Sequence, residues 1–570
     1  NPLKQGGGRK GLPQSFLNRF TKVYLRKLCQ EDLLHVIEAQ YSDFFRKLED
    51  SKEISDLPQK MVKFNEILNR GVDNLEFGLR GGPFEINLRD ILRWCDFVSN
   101  EDTGFFEKDL MLVIYEKMKI VYFVRMRSES DRMFIRKAFS EVFKVNADKL
   151  EEISSNVSFY WTEDHIFIND IKVKRGDLKE NVEKSPLIIK SQLETLKNMI
   201  ECVKLSRPVL LCGPADCGKT KCVDLACSML NQSLDVDTID DSVTGSFQQI
   251  DLNRHLEEVA RVVELLVSST AKKIIISDCV FTDLHRLLRL LDQWEEYNLL
   301  LKNVKGSSLK MTVSDEVQLF RDRISQLKKT FAILKDIYKS HEFLEDIDFD
   351  RIENVIGNLK KIADSSNSLN TGGHFEWVDS KIVKCLKSGR FICLEHVNMC
   401  SSAILDRLNS VFESNGTLLL SEKGISSDNR VEEIAKHKDF RAFLTLDPKN
   451  GEISRAMRNR CLEIFMDRDG YTKDDLRHII FNFGVQNLSM IDGMIRIHER
   501  LKGISEFTQF GVNHLFKFAL LVVENQTLCL PSKNILKSCG DQEPKDPQLS
   551  HAHRSCGFFG WIEAFPRTEN

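Results

Sequence analysis

Three features of this sequence predict an α/β fold in which a parallel sheet is flanked by helices. The first is a complete G-x-x-x-x-G-K-[ST] loop, Gly213-Pro214-Ala215-Asp216-Cys217-Gly218-Lys219-Thr220, set between a strand-length apolar run and a helical pattern. The second is a pair of later apolar strands with polar ends, Phe391-Ile-Cys-Leu-Glu395 and Phe440-Arg-Ala-Phe-Leu-Thr-Leu-Asp-Pro448. The third is an arginine cluster after them, Gly451-Glu-Ile-Ser-Arg-Ala-Met-Arg-Asn-Arg460. At 570 residues the chain is too long for one ordinary domain, and two to four are expected.

The loop carries the clearest chemistry. Gly213 and Gly218 let the backbone curl so that its N–H groups face phosphate oxygens, and the helix that follows adds the positive end of its dipole. Lys219 would neutralise the β- and γ-phosphates of ATP, and Thr220 would hold Mg²⁺ through its hydroxyl. The flanking strand, Val209 to Cys212, and the helical spacing of Val223, Ala226 and Leu230 place the loop where the motif requires. Cys212, Cys217, Cys222 and Cys227 recur every five residues, which scatters them around a helix; they read as packing thiols rather than metal ligands.

A second strand must end in acid to hold Mg²⁺. Two candidates exist: Ile274-Ile-Ile-Ser-Asp278, and the farther Phe391–Glu395 followed by His396-Val-Asn398. The farther one is preferred, because it stands in an ordered series of nucleotide loop, acid strand, polar-tipped strand and arginine cluster. That order is the AAA+ plan. Phe375-Glu-Trp-Val-Asp379, Val397-Asn398, Leu405-Asp-Arg-Leu-Asn409, Thr445–Pro448 and Ser454–Arg460 together resemble the midasin family of giant dynein-like AAA+ proteins, which carry six modules in one polypeptide. Ser191-Gln-Leu-Glu-Thr-Leu and Gly245-Ser-Phe-Gln-Gln-Ile-Asp251 fit the same family, so the resemblance covers roughly residues 185 to 470.

The sequence departs from that pattern where chemistry is done. Glu395 replaces the Asp that holds Mg²⁺, and His396 stands where an active site of this kind carries Glu. A longer Glu can still reach the metal, but an imidazole is a weak substitute for a carboxylate that positions an attacking water. Asp447 occupies the position of a sensor Asn. The expectation is nucleotide binding with slow or absent turnover.

Upstream, Gly6-Gly-Gly-Arg-Lys-Gly-Leu-Pro-Gln-Ser-Phe-Leu-Asn-Arg19-Phe20 resembles the arginine-finger end of another such module. Leu79-Arg-Gly-Gly-Pro-Phe-Glu-Ile-Asn-Leu-Arg89-Asp-Ile-Leu-Arg-Trp94 resembles a helical lid, with Arg89 at the position of a second sensor arginine. The resemblance implies that Arg19, Arg458 and Arg460 act on nucleotide sites of neighbouring modules; which of Arg458 and Arg460 is the finger stays open. Exposed helix-end cations favoured by the dipole are the alternative for both clusters. Because the chain begins with Asn1, it reads as part of something longer.

The expected organisation follows. Residues 1–149 are the C-terminal part and helical lid of a preceding AAA+ module, and 150–184 a linker with a β-hairpin over Asp164–Val173. Residues 185–470 are an AAA+ α/β core. Its helical insert spans about 281–345, where Leu284, Leu287, Leu288 and Leu291 and then Val317, Phe320, Ile324, Leu327, Phe331 and Leu334 keep helical spacing. The insert packs against the ring or forms a partner-binding arm. Residues 471–528 are a partial lid, and 529–570 a divergent, disordered tail in which Cys539, His551, His553 and Cys556 are too loosely spaced for a zinc site.

Composition narrows the function. Lys+Arg number 81 against 85 Asp+Glu, so a net charge of −4 gives no global field for nucleic acid. Fifteen dispersed Cys point to a reducing, cytosolic or nuclear compartment. No stretch approaches ~20 uncharged apolar residues, so no membrane span is read from the sequence. The resemblance implies a mechanochemical ATPase ring acting on pre-60S ribosomal particles, releasing assembly factors in the nucleolus and nucleoplasm of the nucleus. The alternatives are a purely structural nucleotide-binding ring module and a dynein-type motor, the latter disfavoured by the lack of a long stalk-like coiled coil.

Overall fold

The structure is a computed structural model. It describes residues 15–524 except 16–17, 22, 24–27, 49–55, 83, 101–109, 156, 163, 170, 177–186, 240–241, 277–280, 307–312, 341–348, 366–369, 414–415, 425–429, 468–469 and 503–510. The expectations for Asp278, for residues 307–312 and 341–345 of the insert, and for the tail after 524 lie outside the described residues. The chain divides into two compact units, the second formed by 244–383 and 419–432.

The first unit begins with a helical bundle: α1 (Gln30–Gln40), α2 (Ser42–Leu48), α3 (Leu57–Asp73), α4 (Leu88–Ser99), α5 (Leu110–Met118), α6 (Glu129–Phe143) and α7 (Ala147–Ser154). A π-helical turn, Lys119–Phe123, continues α5. Helix α4 starts at Asn87, whose side chain accepts from the Arg89 N–H while Asp90 reaches back to the Asn87 N–H, a reciprocal cap that leaves fewer orphan donors. The bundle is centred on Phe64, whose ring meets Trp94, Tyr122 and Phe139 edge to face at 5.4–6.0 Å. Trp94 also donates its indole N–H to the Ile114 carbonyl (3.1 Å), so a buried polar group is satisfied.

Next comes a three-stranded antiparallel sheet, β1 (Phe159–Trp161), β2 (His165–Ile168) and β3 (Ile171–Lys174). The expected hairpin is β2–β3. The added strand pairs Tyr160 with Phe167, whose rings stack at 4.6 Å; an aromatic triplet is too short to show a period in sequence.

The α/β layer follows: α8 (Leu193–Lys204), β4 (Val209–Cys212), α9 (Lys219–Leu230) and β5 (Leu234–Thr238), and, after the second unit's residues, α14 (Lys381–Ser388), β8 (Phe391–Glu395), α15 (Ser402–Arg407), β9 (Thr417–Leu419), β10 (Glu433–Ala435), β11 (Arg441–Leu446), α16 (Arg455–Arg458) and β12 (Leu462–Phe465). Five of these strands form one parallel sheet in the order β12-β4-β11-β8-β5. Every residue of β4, and the first four of β8, is buried, as sheets covered on both faces require. The order puts the ends of β4, β8 and β11 side by side, at the edge where ligands of such sheets bind. Helices α17 (Lys473–Asn482) and α18 (Leu488–Lys502), with a helical run over 512–524, close on their own core of Ile480, Ile491, Met494, Leu515 and Ala519.

The second unit pairs β6 (Gly245–Asp251) antiparallel with β7 (Asn370–Asp379) and carries four helices: α10 (Leu252–Ile276), α11 (Phe281–Gly306), α12 (Val313–Ser340) and α13 (Phe349–Ser365). The helical insert is thus longer than the expected 281–345. Leu256, Ala260, Val263 and Val267 bury one face of α10, and the same spacing carries Ile274 into the helix. The β-branched triplet Ile274–Ile276, one of the two candidate acid strands, is therefore helical. Val317, Phe320, Ile324, Leu327, Phe331 and Leu334 are all buried along α12, as their spacing predicts.

Candidate functional site

The phosphate loop joins β4 to α9, and its glycines are fixed by close neighbours. A Cβ on Gly213 would lie 2.4 Å from the Met466 carbonyl oxygen. Gly218 has φ +87°, and a Cβ there would lie 2.6 Å from the Tyr471 hydroxyl. Lys219 donates from Nζ to the carbonyls of Gly213 and Pro214, both at 2.7 Å. Ala215 is exposed, and Asp216, at φ +69°, accepts a hydrogen bond from the Asn513 amide. Cys217 is buried, and burial pushes its thiol above its ordinary pKa, the state of a packing thiol rather than a reactive one.

Thr220 and Glu395 meet directly: the threonine hydroxyl donates to Glu395 Oε1 at the end of β8. His396 follows in the left-handed region (φ +52°), donates its N–H to Thr445 Oγ1 (3.3 Å) and leaves its ring exposed. The Asp447 carboxylate accepts from the Lys449 N–H (2.9 Å), so it caps the turn that follows β11. Asn398 ties that turn to the acid strand, donating to the carbonyls of Asp447 and Gly451, both at 2.7 Å. Thr445, Asn398 and Tyr471 were not singled out as site residues in the sequence. Thr445 and Asn398 lie in the segments that carry the family resemblance, but nothing in sequence pairs Tyr471 with Gly218.

Helix α17 is tied to the same region. Its Asp475 accepts from the Thr472 N–H and hydroxyl and from the Lys190 N–H (3.0 Å). Burial alone would raise this carboxyl, but those donors outweigh it and hold the pKa below the usual carboxylate range. A depressed folded-state pKa contributes stability that is present above the unfolded value and is lost as pH falls through the folded one. Protection of α17 amides from hydrogen exchange is therefore expected to weaken as pH falls below about 4, and Asp475→Asn to weaken it already at neutral pH. Equal protection in variant and parent at neutral pH would remove Asp475 from this role.

The arginines divide into two environments. Arg458 is almost fully buried and engages all three guanidinium nitrogens: Nε and Nη2 bind Glu463 at 2.5 and 2.8 Å, Nη1 binds the Gly81 carbonyl at 2.5 Å, and the guanidinium lies 4.5 Å from the Phe84 ring centroid. Arg460 donates to the Ala456 carbonyl (2.8 Å) and pairs with Glu413 (2.8 Å). Arg89, half exposed, reaches the same Glu413 oxygen at 3.7 Å. Arg89 and Arg460, from segments some 370 residues apart, thus converge on one carboxylate. Arg19 lies in an exposed turn.

A five-stranded parallel sheet in this order, a phosphate loop after β4 and an acid at the end of β8 define a P-loop nucleotide-binding module of the AAA+ class. The AAA domain family of the dynein-related subfamily matches residues 358–461, and the midasin AAA lid domain family matches residues 32–146. The chain is midasin-like: it is 28% identical to Midasin of Dictyostelium discoideum over 90% of its length and 27% identical to Midasin of Giardia intestinalis over 82%. It spans 9% and 10% of the length of these two relatives. The class as a whole works with nucleotide and a divalent metal. No described helix is long and apolar enough to cross a membrane.

Proposed function

We propose that this chain is a section of a multi-module AAA+ ring that remodels pre-60S ribosomal particles in the nucleus, and that its own site binds Mg-ATP while hydrolysing it weakly or not at all. The observation that carries the second part is the Thr220–Glu395 hydrogen bond with His396 directly after it. Glycines whose neighbours exclude a side chain leave backbone room for phosphate, Lys219 supplies the charge, and Thr220 with Glu395 forms an oxygen pair suited to Mg²⁺. The metal would offset phosphate charge. No carboxylate follows Glu395 to orient an attacking water. The ribosomal substrate and the nucleolar and nucleoplasmic location rest on the likeness to the two midasins.

For the neighbouring module's nucleotide, Arg460 and Arg89 are the arginines that fit, because Arg458 is consumed by Glu463 and Gly81. Helices α4 and α5 come from the preceding module's lid, so its sensor arginine and this module's finger would face one site.

Calorimetry with ATP and ADP in Mg²⁺, paired with phosphate release, tests the reading. Binding is expected in the parent chain, with affinity lost by about 10- to 100-fold in Lys219→Ala, and no release above background in either. Lys219-dependent phosphate release by the isolated chain would overturn the inactive assignment. Absence of any nucleotide binding would overturn the site itself.

A further inference from the structure

Where the bundle helices meet the sheet layer, within the first unit, lies a small cavity of about 20 Å³ whose lining includes Phe84, Arg93, Arg125, Arg458, Asn459 and Glu463. Arg93 and Arg125 are 5% and 8% exposed. The carboxylate paired with both is Asp90, 4% exposed, at 3.6 Å from Arg93 and 3.7 Å from Arg125, beyond hydrogen-bond reach of either. Its other oxygen takes the Asn87 N–H. The remaining acids of the lining are engaged elsewhere: Glu463 by Arg458, and Glu85 by Asn459 (2.6 Å) and Arg455 (3.2 Å). Arg93 Nη2 donates to the Asn459 carbonyl (2.6 Å), but among the described residues Arg93 Nε and both Nε and Nη2 of Arg125 have no hydrogen-bond partner.

Two buried guanidiniums therefore share one carboxylate. Guanidinium does not deprotonate, so this charge cannot be removed by proton loss. Burying an unmatched cation and three unpaired donors is costly unless something else meets them. The unmet groups are all donors, and the space is large enough for a water or a small ion. A water would fit but would bring two further donors and no charge. A monatomic anion meets all three donors with a single acceptor and supplies the missing negative charge.

We propose that this cavity is a binding site for a single halide ion, chloride under ordinary conditions, held by Arg125 and Arg93 as a counterion between the helical bundle and the sheet layer. The ion accepts from Arg125 Nε and Nη2 and from Arg93 Nε, and it makes the docking of the bundle dependent on chloride. This site is separate from the Lys219 loop and rests on none of the functional assignments above.

The test uses bromide, a heavier halide with an anomalous signal. Crystals of the chain grown or soaked in bromide should show an anomalous peak within hydrogen-bond distance of Arg125 and Arg93, and no peak in Arg125→Gln. In parallel, replacing gluconate by chloride at constant ionic strength should raise the melting temperature by about 2 °C, with the shift lost in Arg125→Gln. Absence of the bromide peak overturns the proposal whatever the melting data show. So does a chloride-dependent shift that survives unchanged in Arg125→Gln, since that is a general salt effect.

Discussion

Lys117→Met is expected to destabilise the docking of the helical bundle on the sheet layer by about 3–5 kcal/mol. Lys117, on α5, meets Glu201, on α8, at 2.6 Å, and both side chains are nearly excluded from water (4% and 3% exposed). Removing the cation strands a carboxylate where its charge is poorly solvated, so it either stays ionised at high cost or takes a proton. Two further pairs flank it: Lys197 with Glu116 at 2.6 Å and Lys119 with Glu194 at 2.7 Å. The donors and acceptors alternate between the two layers, which fixes the register of α5 on α8. Burial opposes the Lys119 charge, but Glu194 and Glu151, the latter at 2.9 Å, outweigh burial and leave the pKa raised. The double variant Lys117→Met/Glu201→Leu should recover most of the loss, because an apolar pair of similar volume carries no desolvation cost. Hydrogen exchange of α5 and α8 amides in rising urea reads both effects. A single-variant loss under about 1 kcal/mol would mean that water reaches the pair and that apolar packing alone holds this seam.

The second large effect separates two arginines that sequence could not rank. Arg458→Ala is expected to cost about 2–3 kcal/mol, and Arg460→Ala under about 1 kcal/mol. Arg458 makes a two-point pair with Glu463, which is 5% exposed, and bridges to the Gly81 carbonyl of the bundle. Arg127 remains 3.3 Å from Glu463 and limits the damage. Arg460 gives up one carbonyl contact and a partly exposed pair. In a longer polypeptide that includes the phosphate loop proposed for the preceding module, the order should invert: Arg460→Ala should reduce phosphate release at that loop by about 10³-fold while leaving stability near that of the parent. Equal stability losses in the two variants would refute the division, and unchanged release in Arg460→Ala would remove it as the finger.

The contrast shows what a linear reading can reach. The loop from Gly213 to Thr220 was legible because its chemistry is local: eight consecutive residues, a strand before and a helix after. The α12 stripe from Val317 to Leu334 was legible because a helix repeats its buried face every three or four residues. Glu395 was chosen over Asp278 by its place in an ordered series, and in the structure it lies beside Thr220. The triplet Ile274–Ile276 misled in isolation because β-branched residues favour strands, while α10 as a whole follows its helical face. The insert extends beyond 281–345 at both ends, through α10 before it and α13 after it.

Sequence by itself determined the class of this protein, the phosphate loop and the degenerate pair Glu395-His396, since each is a matter of residue type at fixed local spacing. Tertiary structure alone decided that Arg458 is a structural clamp, that Arg460 joins Arg89 on Glu413, and that Arg93 and Arg125 share one carboxylate. An arginine's role depends on which acids, carbonyls and rings meet its five donors. Those partners come from segments hundreds of residues away, where the sequence carries no spacing that reports them.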